Sequence, residues 1–262
     1  MNGVNKTLYI PLYGKAYVSK KGIILNDKTA ELIWEKEGFE LKGKSKSKWL
    51  AYYMGMRSAV FDKWLKEQMD ADKGALILHI GCGMDSRIHR VGTNGHTWYD
   101  LDFPDVIQER KLYYQEDEFY HMIESDARKN AWIQTLPEGK NAIIVMEGVT
   151  MYFKQEELKK LLTDLTNRFN RVNILMDCYT DFAAKASKYK NPINEVGVTV
   201  VYGVDDPHSL EKGTGLIFVK EHDMTPASLV NELCGMEKAV FKKVFAGKFS
   251  KKMYRMYEYK QG

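Results

Sequence analysis

From Ala75 to Ile80 the chain is apolar at every position except His79, and it runs straight into Gly81-Cys82-Gly83. An unbroken apolar run of this length suits a strand covered on both faces, as in a parallel sheet. The glycines that follow let backbone approach another group with no Cβ in the way. The next apolar segment ends in Tyr99-Asp100-Leu101-Asp102-Phe103-Pro104, which places Asp102 19 residues beyond Gly83. An acid ending the second strand can accept hydrogen bonds from both hydroxyls of a ribose. Strand, glycine turn and spaced carboxylate predict a nucleoside ligand at the carboxyl edge of a parallel sheet.

The rest of the chain agrees with that frame. Strands are predicted at 75–80, 96–101, 119–124, 141–146 and 172–176, with helices over 103–114 and 155–169 between them. Pro104 opens the first of these helices, where its missing N–H is harmless. In the second, Leu158, Leu161, Leu162, Leu165 and Phe169 share one face, and Glu156 and Glu157 sit in the first turn. The alternation implies a doubly wound, mostly parallel α/β sheet with right-handed crossovers. Two further strands, 216–220 and 253–259, flank helical material from Pro226 to Phe245 and predict an antiparallel pair at the C-terminal edge. Residues 1–73 read as a helical N-terminal lid within a single domain spanning 1–262. Asp27 can cap a helix there, and Ser45 or Ser47 the long helix over 49–69.

The glycine turn admits two ligands. A dinucleotide turn needs a third glycine and a pyrophosphate on the helix N-terminus. Here Ser86 takes the third position, and Asp85 brings a carboxylate that repels phosphate. S-adenosylmethionine suits the turn better, because it has no phosphate, carries a sulfonium and an amino-acid tail, and keeps the ribose diol.

Composition narrows the partners. The 262 residues carry a net charge of +4 and are 44% hydrophobic, so a substantial core is available and the basic excess is too small to argue for nucleic acid. The run Lys42-Gly43-Lys44-Ser45-Lys46-Ser47-Lys48 has no interleaved aromatics and reads as a solvated loop. Cys82, Cys178 and Cys234 are far apart, with no disulfide framework or metal-ligand spacing. No apolar run is long enough for a membrane span. A cytoplasmic protein with reduced thiols and a small-molecule partner is expected.

Across nearly the whole length, the motifs resemble the leucine carboxyl methyltransferase family, which includes O-methyltransferases of polyketide pathways. The matching pieces begin with Pro11-Leu12-Tyr13-Gly14-Lys15-Ala16, Asp27-Lys28-Thr29-Ala30, Arg57-Ser58 with Asp62, and Gly81-Cys82-Gly83-Met84-Asp85-Ser86-Arg87. They continue with Asp100-Leu101-Asp102-Phe103-Pro104-Asp105-Val106, Asp126, Glu147-Gly148-Val149-Thr150-Met151-Tyr152, and Tyr202-Gly203-Val204-Asp205-Asp206-Pro207. The resemblance implies a class I methyltransferase fold and S-adenosylmethionine as cofactor. It implies that Arg57 and Lys15 hold the cofactor carboxylate, that backbone at Gly81, Cys82 and Gly83 passes its methionine part, and that Asp102 takes the ribose. Asp126 and Ala127 are implied at the adenine, although a larger apolar residue than Ala127 is expected there, and Glu147 near the amino group or sulfonium.

Methyl transfer by such a site works largely through positioning and exclusion of water. A carboxylate acceptor needs no general base, whereas an alcohol benefits from one. Among the histidines, His79 and His121 lie in strands and His208 in a loop, so none is a clear base. Tyr152 either lines the acceptor site or packs in the core. The same choice, substrate contact or core, stands for Tyr9, Tyr13, Tyr17, Trp49, Tyr52 and Tyr53. The expected activity is O-methylation of a carboxylate or hydroxyl on a small molecule. A protein C-terminal carboxyl methyltransferase, with an open cleft for a peptide, is one alternative. A cofactor-binding module without turnover is another. A nicotinamide-dependent oxidoreductase is disfavoured by Asp85.

Overall fold

The computed structural model describes residues 8–37, 41, 43–187 and 200–262; Lys42 of the basic run lies outside them. Three helices come first, α1 (Tyr9–Lys20), α2 (Lys28–Glu37) and α3 (Lys48–Ala71). Strand and helix then alternate through β1 (Leu76–Ile80), α4 (Arg87–Val91), β2 (Trp98–Asp102), α5 (Pro104–Arg110), β3 (Tyr120–Glu124), β4 (Asn141–Met146), α6 (Gln155–Arg168), β5 (Arg171–Tyr179) and α7 (Asp181–Ala186). The remainder holds β6 (Leu216–Glu221), the helices α8 (Ala227–Val230), α9 (Gly235–Val244) and α10 (Lys248–Met253), and β7 (Tyr254–Gln261).

The strands form one sheet in the order β3-β2-β1-β4-β5-β7-β6. The first five are parallel to their neighbours, and β7 and β6 close the edge antiparallel. This is the expected doubly wound sheet with its antiparallel C-terminal pair. The strand order reverses between β1 and β4, the position where such sheets open a crevice at their carboxyl ends.

The period-two alternation of strand side chains sorts the core into two layers. Ile77, Ile143, Val145 and Leu175 point to α1 and α3, with Trp64, Phe61 and Leu65 of α3 packed on them. Leu78, Ile80, Ile144 and Met176 point the other way, onto Leu158, Leu161, Leu162 and Leu165 of α6. The row of Ile143 and Val145 continues to Glu147, and that of Leu175 to Asp177, so both acids emerge on the α3 side. Helices α1 and α3 approach closely: a Cβ on Gly14 would lie 2.7 Å from Met54 Cβ, and one on Gly55 2.8 Å from Val18. That contact brings Lys15 and Arg57 over the same edge of the sheet.

Several boundaries differ from the sequence reading, for local reasons. Strand β5 runs past Met176 to Tyr179, because β7 pairs with Asp177, Cys178 and Tyr179. His96 lies outside β2, and its Nδ1 bonds the Ala75 carbonyl at 2.7 Å. Helix α5 stops at Arg110, and the segment 226–245 divides into α8 and α9. Asp27 caps α2 through the Ala30 N–H at 2.9 Å. Ser47 occupies the N-cap of α3, but its hydroxyl makes no cap bond.

The two-layer packing sets an expected contrast in stability. Leu161 is wholly buried between α6 and the sheet, so Leu161→Ala should cost about 2–5 kcal/mol in urea unfolding. Ile217, on the outer strand, is 47% exposed, so Ile217→Thr should stay within about 0.5 kcal/mol.

Candidate active site

The turn after β1 is fixed by β2. The Leu101 carbonyl accepts the N–H groups of Gly81 at 2.8 Å and Cys82 at 3.1 Å. Gly81 has φ +72°, and a Cβ there would lie 2.6 Å from Val149 of the loop after β4, so no side chain fits. Asp102 completes the turn. Its Oδ2 accepts the Gly83 N–H at 2.7 Å, and its Oδ1 the Phe103 N–H at 2.8 Å. Burial pushes the Asp102 carboxyl up to about 6, against those two bonds, which favour its charged form.

Asp100 stands in the same side-chain row as Asp102 but deeper in the sheet. It pairs with the buried Arg110 guanidinium, accepts from the Tyr120 hydroxyl at 2.6 Å and the Trp98 indole at 2.8 Å, and faces His79 Nδ1 at 3.2 Å. Arg110 also donates to the carbonyls of Gly83 at 3.0 Å and Asp85 at 2.7 Å. The two acids of the Asp-Leu-Asp run therefore do different work, Asp102 accepting an N–H of the turn and Asp100 holding the arginine that bonds its carbonyls, and their spacing in the chain does not separate those tasks.

A buried network of charges underlies the turn. Arg57 donates to Glu147 through Nε at 3.1 Å and to Asp177 through Nη1 at 2.9 Å. Glu147 also accepts from Ser58 at 2.8 Å and from Arg87. Asp85 meets Arg90 at 2.8 Å, Arg87 at 3.3 Å and Lys15 at 3.4 Å. Arg90 continues to Asp62 and Asp27, each at 2.6 Å. Burial opposes ionisation of Glu147, yet Arg57, Arg87 and Lys15 outweigh it and hold the carboxyl at about 2. Asp85 is likewise held well below the usual carboxylate range, by Arg87, Arg90 and Lys15 against burial. For Asp177 burial wins and raises the pKa despite Arg57. Asp177 was missed in the sequence, where it follows the predicted strand 172–176 with no motif around it.

Four members of this network, Lys15, Arg57, Asp85 and Glu147, border a cavity of about 540 Å³. Of the residues singled out in the sequence, Lys15, Arg57, Gly81, Cys82, Gly83, Asp102, Glu147 and Tyr152 line it. Asp126 and Ala127 do not. Asp126, beyond the end of β3, receives the Arg128 guanidinium at 2.6 Å, and Ala127 packs with Trp132 and Ile133 in the α6-side core. His79 lines the cavity; His208 is exposed beside Glu211, and His121 stacks on Tyr99 at 5.1 Å. Trp49 and Tyr53 line the cavity too, whereas Tyr13 and Tyr17 pack against each other and Tyr17 against Tyr52.

A profile match decides the family: residues 12–166 match Leucine carboxyl methyltransferase. The chain belongs to the leucine carboxyl methyltransferase family. It is a methyltransferase whose methyl donor is S-adenosylmethionine. It is 26% identical over 243 residues to the tetracenomycin polyketide synthesis O-methyltransferase TcmP of Streptomyces glaucescens, a match covering 92% of this chain and 90% of that one. It is 25% identical to the S-adenosyl-L-methionine-dependent methyltransferase dpfgK of Gibberella zeae, covering 80% of this chain and 78% of that protein. Among solved structures, magnesium protoporphyrin IX methyltransferase from Synechocystis shares the fold, with a TM-score of 0.53 at 11% identity over 90% of this chain and 95% of that one.

The residues present fit the cofactor. The Asp102 carboxylate lines the cavity as an acceptor for a diol. A Cβ on Gly148 would lie 3.2 Å from Arg57 Nη2, so the glycine leaves the guanidinium uncovered on that side. Glu147 and Asp85 line the same cavity as ionised carboxylates paired with arginines.

Arg110 is the support most open to test. Arg110→Ala leaves Asp100 buried without its cation, which should cost about 3–5 kcal/mol in denaturant unfolding at pH 7. The loss should shrink at pH 4, where Asp100, released from Arg110, takes up a proton.

Proposed function

We propose that this methyltransferase acts on oxygen, on a carboxylate or hydroxyl of a small molecule, with a carboxylate favoured. The observation that carries the choice is the state of the basic groups in the cavity wall. His79 Nε2 accepts from Arg87 at 2.9 Å, and Nδ1 faces Asp100 at 3.2 Å; burial and Arg87 lower its pKa against the pull of Asp100. Glu147 and Asp85 are bound by guanidinium groups, and each oxygen of Asp102 accepts a backbone N–H. With its basic groups committed in this way, the wall is suited to an acceptor that arrives ionised. Carboxylates meet that need at neutral pH.

S-adenosylmethionine supplies a methyl carbon on a cationic sulfur, and the chain positions it. Asp102 accepts from the ribose hydroxyls, Arg57 and Lys15 hold the amino-acid carboxylate, and Glu147 faces the amino group. The adenine extends past β2 toward Asp126 and Ala127. Backbone of Gly81, Cys82 and Gly83 runs along the methionine part, and Tyr152 faces the acceptor. The acceptor oxygen forms its bond to the methyl carbon as the carbon–sulfur bond breaks, and the electron pair stays on sulfur. Helices α1–α3 form the lid, within one domain with the sheet. Free Cys82, Cys178 and Cys234 fit a reducing compartment such as the cytoplasm.

Incubation with labelled methyl donor and a panel of carboxylic acids and phenols tests the reading. Products should release methanol in mild alkali, as esters do; alkali-stable ethers alone would overturn the carboxylate assignment. Cofactor binding should also titrate. Below about pH 6 Asp102 is protonated in the free protein, so affinity measured by calorimetry should rise up to about tenfold per pH unit and level off above 6. The same raised pKa makes Asp102 favour the folded state most at low pH, and that contribution is lost as pH rises through about 6. Arg57→Lys keeps a charge between Glu147 and Asp177 but loses the paired geometry. It should weaken S-adenosylmethionine by about 1–2 kcal/mol and spare methylthioadenosine, which has no carboxylate.

A further inference from the structure

Beyond the cofactor groups the cavity continues along the sheet edge. The strand order places Asp102 of β2, Gly81 after β1, Glu147 after β4 and Tyr179 of β5 in succession. Three strand spacings separate the first from the last, about 14 Å. A nucleoside over β2 and β1 puts the reacting methyl near Glu147 and leaves the β5 end for the acceptor.

Aromatic rings gather at that end, beside Leu50, Met151 and Met253. Trp49 stacks on Phe245, with centroids 5.4 Å apart and planes 13° from parallel. Tyr254 meets Tyr179 at 4.5 Å and Tyr53 at 5.7 Å. The hydroxyls form their own pairs, Tyr254 to Tyr179 at 2.9 Å and Tyr53 with Ser250 at 2.9 Å. Burial raises the pKa of Tyr53 and Tyr254, so these hydroxyls are neutral. The rings come from α3, β5, the end of α9 and β7. The cations of the described wall, Lys15 and Arg57, are paired with Asp85, Glu147 and Asp177.

We propose, resting on the carboxylate reading above, that this end binds a planar aromatic acid whose reacting carboxylate is its only charge. Flat rings match the Trp49–Phe245 and Tyr254 faces, where offset and edge contacts hold aromatic groups. A second charge on the acceptor would be buried against neutral hydroxyls and rings with no ion to pair it, which is costly. The reacting carboxylate escapes that cost because it lies against the sulfonium. A dicarboxylic acid, an amino acid or a peptide C-terminus with charged flanks is disfavoured on the same ground.

The experiment compares kcat/KM for naphthoic acid, a fatty acid of similar length, naphthalene dicarboxylic acid and a short peptide acid. Naphthoic acid should lead each of the others by roughly tenfold or more. Trp49→Ala and Phe245→Ala should raise its KM about tenfold and leave KM for the cofactor unchanged, with Trp49→Phe restoring most of the loss. Equal rates for the fatty acid, or a preference for the dicarboxylate or peptide, would overturn the aromatic assignment while leaving carboxylate methylation intact. Methylation of naphthol but of no acid in the panel would overturn the carboxylate reading itself.

Discussion

Glu147 is held between two guanidinium groups, Arg57 from α3 and Arg87 from α4, and most of the site depends on that clamp. Through Arg57 it reaches Asp177 at the end of β5; through Arg87 it reaches Asp85 and Asp62. Lys15 and Arg90 extend the network to α1 and to the cap of α2. Removing one ion from such a buried set leaves its partners uncompensated, a cost of about 3–5 kcal/mol. The network therefore ties the N-terminal helices to the carboxyl ends of the strands, and it does so at the cavity floor.

Its charges do not balance. Asp27, Asp62, Asp85, Glu147 and Asp177 face Lys15, Arg57, Arg87 and Arg90. The raised pKa of Asp177 reflects burial that its single arginine partner does not offset. Along the same edge Arg57 and Glu147 stand between the polar end at Asp102 and the rings around Tyr179.

Much of this was legible in the chain. The apolar strand into Gly81, the distance to Asp102 and the strand–helix alternation identified the fold, because each follows from local rules: period, turn chemistry and crossover length. Most of the candidate site residues do meet at one cavity. The positions that misled did so where partners distant in sequence intervene. β5 outran its predicted end because β7 pairs with it. Asp100 looked like Asp102 until Arg110 claimed it. Asp177 carried no motif, and Trp49 and Tyr53 looked no different from Tyr13 and Tyr17.

The amino-acid sequence by itself determined the sheet, the glycine turn and the family, since backbone period and contiguous motifs are written within a few tens of residues. Only the tertiary structure decided which carboxylates are spent on arginines and which aromatic rings face the cavity. Those outcomes depend on contacts between α1, α3, β5 and the C-terminal α9–β7 segment, whose proximity comes from packing across the sheet and not from spacing along the chain.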